Sequence, residues 1–182
     1  MQTWIALLRG VNVGGRNAMA MAVLATVFES VGCNSVRTYI QSGNVIFSSQ
    51  DKSKTKLIDR LGDAIENQFG FLPSILLLTE SELRAAVANN PFPEAVGEPK
   101  ALHFLFPAAP PKLPDINGMD KLASSTERFK LIDSVFYLHT PDGVGRSKLA
   151  AAAERKLGEP ATARNYTTIQ NLCKMLGGSE VH

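Results

Sequence analysis

Residues 4–8, WIALL, are apolar at five consecutive positions with no polar residue between them. An unbroken run of that length predicts a strand, here over residues 3–8, buried on both faces. Downstream, Met19, Val23, Leu24, Val27, Phe28 and Val31 recur three and four apart. That spacing marks one face of a helix, so the pattern predicts a helix over 18–31 that stops at Gly32. Residues 36–41 and 45–48 read as two strands around SGN, a tight hairpin. Leu57, Ile58, Leu61, Ile65 and Phe69 form the stripe of a second helix over 53–69, with Gly70 as its C-cap. A strand over 74–78 completes the order β-α-β-β-α-β, which is that of a ferredoxin-like unit.

The second half follows a similar grammar with weaker punctuation. TESELRAAV opens with a capping box, Thr79 to Glu82. Strands are predicted at 101–106, 129–132 and 135–139, the last two joined at Asp133-Ser134, with a short helix near 118–123 before them. Helices at 147–157 and 165–176 close the chain. The fold class is therefore α+β: a ferredoxin-like subdomain over residues 1–79 and a second, smaller α+β subdomain over 80–182 that ends in two helices. No internal repeat is visible at the level of residues. Strand alternation puts Val36, Thr38 and Ile40 on one face and Arg37, Tyr39 and Gln41 on the other. If the first set meets the helices, the second points toward a seam between the subdomains, and clefts at such seams are common ligand sites.

Composition narrows the class. The 182 residues are 45% hydrophobic and 20% charged, the balance of a soluble globular protein. No run approaches the ~18 apolar residues of a membrane span, and MQTWIALLRG lacks the basic start of a signal peptide. No membrane partner is expected, and a cytoplasmic location is. Cys33 and Cys173 are too few for a disulfide framework and have no ligand-spaced neighbours, so they read as reduced core thiols. Neither a metal nor a cofactor is expected.

Net charge is only +2, but its distribution is uneven. Residues 1–48 hold Arg9, Arg16 and Arg37 against one acid, Glu29, while the middle of the chain is net acidic and the last 44 residues are again net basic. Both basic segments carry a glycine-rich loop: LLRGVNVGGR at 7–16 and PDGVGRSKL at 141–149. Helix starts normally carry an acid in or near the first turn, as Asp51 and Glu80 do for two of these helices. Three others are led by arginine instead, at Arg16-Asn17, at Arg146-Ser147-Lys148 and at Arg164-Asn165. Unpaired backbone N–H groups, close-approach glycines and guanidinium forks are the composition of an anion site. A structural reading stands beside it: Asn12, Gly14 and Gly15 serve turns, Ser147 and Asn165 are N-caps, and the arginines tie down loops.

Named catalytic motifs fail. GVGRSKL lacks Walker A spacing, Gly143-Val-Gly145 lacks the third glycine of a dinucleotide fingerprint, and HExxH and GxSxG are absent. His103 reads as a satisfied core residue, and His139 with Asp142 forms the one acid–base pairing the sequence suggests. Ser42, Ser147 and Cys33 are nucleophile candidates without a recognisable base.

LLRGVNVGGRN, VRTYIQSGNVIF, FYLHTPDGVGRSKL and ATARN, taken together, resemble the bacterial family known as domain of unknown function 1697. The likeness runs from Leu7 to about Leu176 and implies two α+β subdomains, but no activity. The motif positions it carries over are Arg9, Gly10, Asn12, Gly14, Gly15, Arg37, Tyr39, Gln41, Ser42, Gly43, Asn44, Gly145, Arg146, Ser147, Lys148, Arg164 and Asn165. Where the family reads Arg-Asn-Trp-Asn-Thr, this chain has Arg164-Asn165-Tyr166-Thr167-Thr168.

The leading expectation is a binder of a phosphorylated small molecule or of nucleic-acid backbone in a basic cleft between the subdomains. Its candidate ligand-binding residues are Arg9, Asn12, Gly14, Gly15, Arg37, Tyr39, Gln41, Asn44, Arg146, Ser147, Lys148, Arg164 and Asn165. Tyr39 or Tyr166 would offer a stacking face. The alternatives are a transferase or hydrolase acting on a phosphoryl or carboxyl group there, with His139, Asp142 or Tyr39 as base, or structural arginines and a protein partner. The sequence leaves the oligomeric state open.

Overall fold

The computed structural model describes residues 1–177, which form two compact units divided between Leu83 and Arg84. The first unit contains β1 (Gln2–Arg9), α1 (Met21–Ser30), β2 (Asn34–Tyr39), β3 (Asn44–Ser49), α2 (Lys54–Phe69) and β4 (Ser74–Thr79). The division between units falls inside the next helix, α3 (Glu80–Ala88), a few residues past the expected boundary at 79.

The first sheet has the order β2-β3-β1-β4 with every neighbouring pair antiparallel. Each strand–helix–strand passage therefore skips one position, and the skipped strand runs the opposite way. β1 lies at the centre and is buried at five consecutive positions, Trp4 through Leu8, as its unbroken apolar run requires. Trp4, Ala6 and Leu8 share a core with Val45 and Phe47 of β3, Leu24 and Phe28 of α1, and Leu57, Leu61 and Ile65 of α2. Phe28 meets Phe47 edge-on, with ring centroids 5.2 Å apart. α2 forms where its stripe predicts, because Ser53 caps Lys56 N–H and Gly70 ends it at φ +76°. On β2, Val36 packs on this core while Arg37 pairs with Ile46 across the hairpin, so the expected division of faces holds at those positions.

The second unit contains β5 (Leu102–Pro107), α4 (Ile116–Asp120), β6 (Arg128–Ile132), β7 (Val135–His139), α5 (Lys148–Leu157), β8 (Ala161–Asn165) and α6 (Tyr166–Met175). Its sheet order, β6-β7-β5-β8, repeats that of the first unit strand for strand, again wholly antiparallel. Both sheets end on a strand that runs straight into a helix, β4 into α3 and β8 into α6. The repeat is one of topology; residue identities do not carry it, since alternation and turn placement suffice to make such a sheet.

Register assigns the two faces of this second sheet. Leu105, Phe136 and Leu138 pack under Leu149, Ala153 and Leu157 of α5. The other face carries Phe104, which meets Tyr137 edge-on at 4.8 Å and Tyr166 of α6 at 5.6 Å. Tyr137 donates its hydroxyl to the carbonyl of Ala86 at 2.7 Å, satisfying the polar end of a buried ring. Among the described residues, no helix is long and apolar enough to cross a membrane.

Candidate functional site

Strand register sorts the loops of the first unit. Arg9 at the end of β1 pairs with Ser74 at the start of β4, and Leu7 pairs with Asn44 at the start of β3. Residues 10–20, 40–43 and 70–73 therefore lie at one end of this sheet.

The glycine-rich segment that follows β1 is a miniature hairpin. Val13 and Arg16 form an isolated antiparallel bridge, Arg16 N–H donates to Val13 at 3.0 Å, and Asn12 N–H donates to Asn17 at 3.0 Å. Gly14 and Gly15 between them have φ of +58° and +73°. Positive φ at both central residues is the signature of a two-residue hairpin turn, which explains the glycine pair. Asn12, itself at φ +54°, donates its side-chain amide to the carbonyls of Met19 and Gln41 and accepts from Met19 N–H. Asn17 donates to the carbonyl of Gly10 at 2.8 Å.

These bonds correct the expected helix start. The chain stays non-helical through Ala20, and α1 begins at Met21 rather than at residue 18. Arg16 and Asn17 thus occupy the hairpin and not a helix entrance. Asn12 holds both backbone groups of Met19, whose side chain is buried in the core.

The turn between β2 and β3 is wider than SGN alone. β2 ends at Tyr39, and Ile40 adopts φ +48°, so Ile40 and Gln41 leave the strand and its face alternation. Gly43 is required by close approach: a Cβ there would lie 2.7 Å from Leu8 Cβ and 2.8 Å from Val11 Cγ2. Buried Asn44 donates to the Tyr39 carbonyl and to Ser42 Oγ, holding the turn shut. Arg16 and Arg37 make no side-chain hydrogen bond or ion pair among the described residues, whereas Arg9 is engaged.

In the second unit, β7 and β8 end beside the start of β5: His139 pairs with Leu102 and Asn165 with His103. That end of the sheet collects both remaining arginine-led helix starts. A 3-10 turn over Val144–Arg146 leads into Ser147, whose hydroxyl accepts from Ala150 N–H at 2.8 Å as the N-cap of α5. Asn165 caps α6 in the same way, accepting from Thr168 N–H at 3.0 Å. Neither helix has an acid in its first turn. α2 also lacks one, but there Asp51 stands just ahead and accepts from Ser53 N–H. Arg146 and Lys148 flank the α5 cap, and neither side chain has a hydrogen-bond or ion-pair partner among the described residues. Arg164 donates to the carbonyl of Ala163, and burial pushes its guanidinium down to about 10, still cationic at neutral pH.

The histidines differ from expectation. His139 and Asp142 do not pair: Asp142 accepts from the Thr126 hydroxyl at 2.6 Å. His139 is buried, with Nε2 3.2 Å from Glu98 and Nδ1 3.2 Å from the Arg128 guanidinium, so both ring nitrogens are occupied. Since Arg128 can only donate, Nδ1 accepts and Nε2–H points to Glu98. Arg128 also bonds Glu94 and covers the Phe92 ring at 5.0 Å. His103 is buried on the face that α5 covers, but it is not satisfied, because Nε2 has no hydrogen-bond partner among the described residues. Burial lowers its pKa, with a backbone hydrogen bond at Lys100 opposing and His139 adding to the shift.

Arg9, Asn12, Gly14, Gly15, Gln41 and Asn44 are thus gathered at one end of the first sheet. Arg37 and Tyr39 lie along its β2 edge. Arg146, Ser147, Lys148, Arg164 and Asn165 are gathered at one end of the second. The Glu94–Arg128–His139–Glu98 chain escaped sequence reasoning. Counting outward from the Asp133-Ser134 turn pairs Arg128 with His139 and could have found half of it. Glu94 lies in a short 3-10 turn, Pro93–Gly97, and Glu98 ends it, a segment too short for any period to reveal them.

Comparison with known proteins adds a family and a fold. The model of a family described as "Protein of unknown function (DUF1697)" matches residues 1–137. The match ends within β7, so the GVGRSKL and ATARN segments lie beyond it. The chain is similar in fold to a conserved bacterial protein from Streptococcus pneumoniae, with a TM-score of 0.70 and 24% identity over 98% of this chain and 99% of that one. No curated protein matches.

Proposed function

Because the chain belongs to the DUF1697 family of proteins of unknown function, we propose its role from the site alone: it binds a phosphorylated ligand at the start of α5. One observation carries this reading. Arg146 and Lys148 flank the cap of an acid-free helix start, and neither side chain has a hydrogen-bond or ion-pair partner among the described residues. The positive end of the helix dipole adds to the same field. Arg164, a guanidinium held in a site that penalises its charge, lies at the same end of the sheet and gains from an anion nearby. An oxyanion fork of this kind suits phosphate better than carboxylate because phosphate offers more acceptor oxygens.

That Arg16, Arg37 and Arg146 have no polar partner among the described residues supports a ligand over a purely fastening role for these arginines. Acid–base catalysis at His139 draws no support, since both ring nitrogens are engaged. The reading extends to a cytoplasmic, anion-binding protein whose first unit is ferredoxin-like, supported by the βαββαβ order and by two buried cysteines outside any disulfide.

Thermal denaturation in the presence of inorganic phosphate, nucleotides, sugar phosphates and short oligonucleotides tests it. A ligand at a hundred times its dissociation constant stabilises the fold by about 2.7 kcal/mol. A salt-sensitive rise in Tm that disappears in Arg146→Ala is the expected result. Equal shifts in the parent and in a folded Arg146→Ala variant, or no shift with any of these, would overturn the proposal.

A further inference from the structure

We infer that the end of the first unit at which β1 terminates is a docking surface for an anionic lipid bilayer. Three loops lie at that end by strand register, residues 10–20, 40–43 and 70–73, spread from the β2 edge to the β4 edge. Each presents one aliphatic side chain to solvent: Val13 is 65% exposed, Ile40 51% and Leu72 58%. Val23, on the first turn of α1 at the same end, is also exposed. The connections at the opposite end, residues 31–33 and 50–53, carry no exposed large hydrophobic residue, and Met1 ahead of β1 is exposed there. Four exposed aliphatic side chains at one end against a single methionine at the other is more than the scatter of single apolar residues that every surface shows.

Ile40 adds an independent argument. It is β-branched and stands at φ +48°, a conformation that glycine or asparagine adopts at far lower cost. Its side chain is half exposed and so recovers little by burial in the fold. A strained residue kept in an exposed turn points to a role outside the folded chain.

The charge and shape of the surface select the partner. None of the three loops contains an acid, and Arg16, whose side chain has no polar partner among the described residues, stands directly across the turn from Val13. Arg9 lies at the base of the same hairpin, and Glu66, in the last turn of α2, is the nearest carboxylate along the chain to the 70–73 loop. Protein interfaces are anchored by Trp, Tyr and Arg in packed pockets, with Val and Leu contributing little. Separate aliphatic tips beside arginines suit a soft apolar medium under a layer of anionic headgroups instead. The sequence expectation of no membrane partner rested on the lack of a spanning segment. Three single residues brought together by register leave no such run to read.

Sedimentation of the full chain with vesicles of phosphatidylcholine, with and without phosphatidylglycerol, provides the test. Binding is expected to the anionic vesicles alone, to weaken with salt, and to fall about tenfold in Val13→Ser/Ile40→Gly. Ile40→Gly by itself should keep or raise Tm, because glycine relieves the positive φ, so weaker binding is not a folding defect. Arg146→Ala should leave vesicle binding unchanged, which separates this surface from the phosphate site proposed at α5. No sedimentation with anionic vesicles, equal binding to neutral ones, or full binding by the double variant would each overturn the inference. So would loss of vesicle binding in Arg146→Ala.

Discussion

The side-chain amide of Asn12 donates to the backbone carbonyl of Gln41 at 2.7 Å, tying the glycine hairpin to the turn between β2 and β3. The same side chain closes a two-way bond with Met19. One residue thus sets the position of the hairpin and the point at which α1 begins. Removing it in Asn12→Ala should cost about 2 kcal/mol, from the lost hydrogen bonds and a Cβ at positive φ without local compensation. Asn12→Gly loses the bonds but not the backbone freedom and should cost less. Urea denaturation of the two variants separates these contributions.

Two glycines at positive φ should respond differently to a methyl group. At Gly43 it would drive into Leu8 and Val11 of a packed core, whereas at Gly15 it meets open space. Gly15→Ala should cost about 1–2 kcal/mol, the strain of the left-handed backbone alone. Gly43→Ala carries that strain and overpacking of about 1–3 kcal/mol besides. Similar losses of stability in the two variants would show that the β2–β3 turn shifts to make room.

Ser147 and Arg146 are neighbours with opposite consequences. Ser147→Ala removes the N-cap of α5 and should lower stability by about 1 kcal/mol. Arg146→Ala and Arg37→Ala remove exposed side chains without polar partners among the described residues and should change stability by no more than about 0.5 kcal/mol. Denaturant midpoints for the three variants measure this directly. A large loss in either arginine variant would favour the fastening role.

His103 makes stability depend on pH. Burial is the main cause that lowers its pKa from the ordinary 6.5. Below that value the unfolded chain binds a proton that the folded chain resists, so the unfolded state holds more protons and stability falls with falling pH. The contribution is fully present above about 6.5 and is lost as pH drops from there toward the depressed folded value. His103→Gln should flatten the pH dependence of the urea midpoint between about pH 5 and 7. An unchanged slope would assign that dependence to other groups.

Much of the local structure was legible before any contact was known. The stripe of α2 and its glycine stop form as read, as do the buried run of β1 and the turn at Asp133-Ser134. The Thr79–Glu82 capping box also closes, with Thr79 N–H donating to Glu82 at 2.7 Å and Glu82 N–H to Thr79 at 3.2 Å. Each depends on residues a few positions apart, where periodicity, φ preference and side-chain reach act directly. The misread starts and partners share the opposite property. α1 begins late because Asn12 bonds Met19 and Gln41, and His139 turns to Glu98 and Arg128 rather than nearby Asp142.

What the sequence by itself determined is therefore the order of strands and helices, the α+β class, and the residues that cap, stop and fill each element. Only the tertiary structure decided which loops share an end of a sheet, and that the second unit repeats the strand order of the first. It also decided which arginines have no polar partner among the described residues. The physical reason is the range of the interactions. Alternation and capping are settled within one turn or strand, but a hydrogen bond or an exposed tip belongs to whatever strand register brings alongside it.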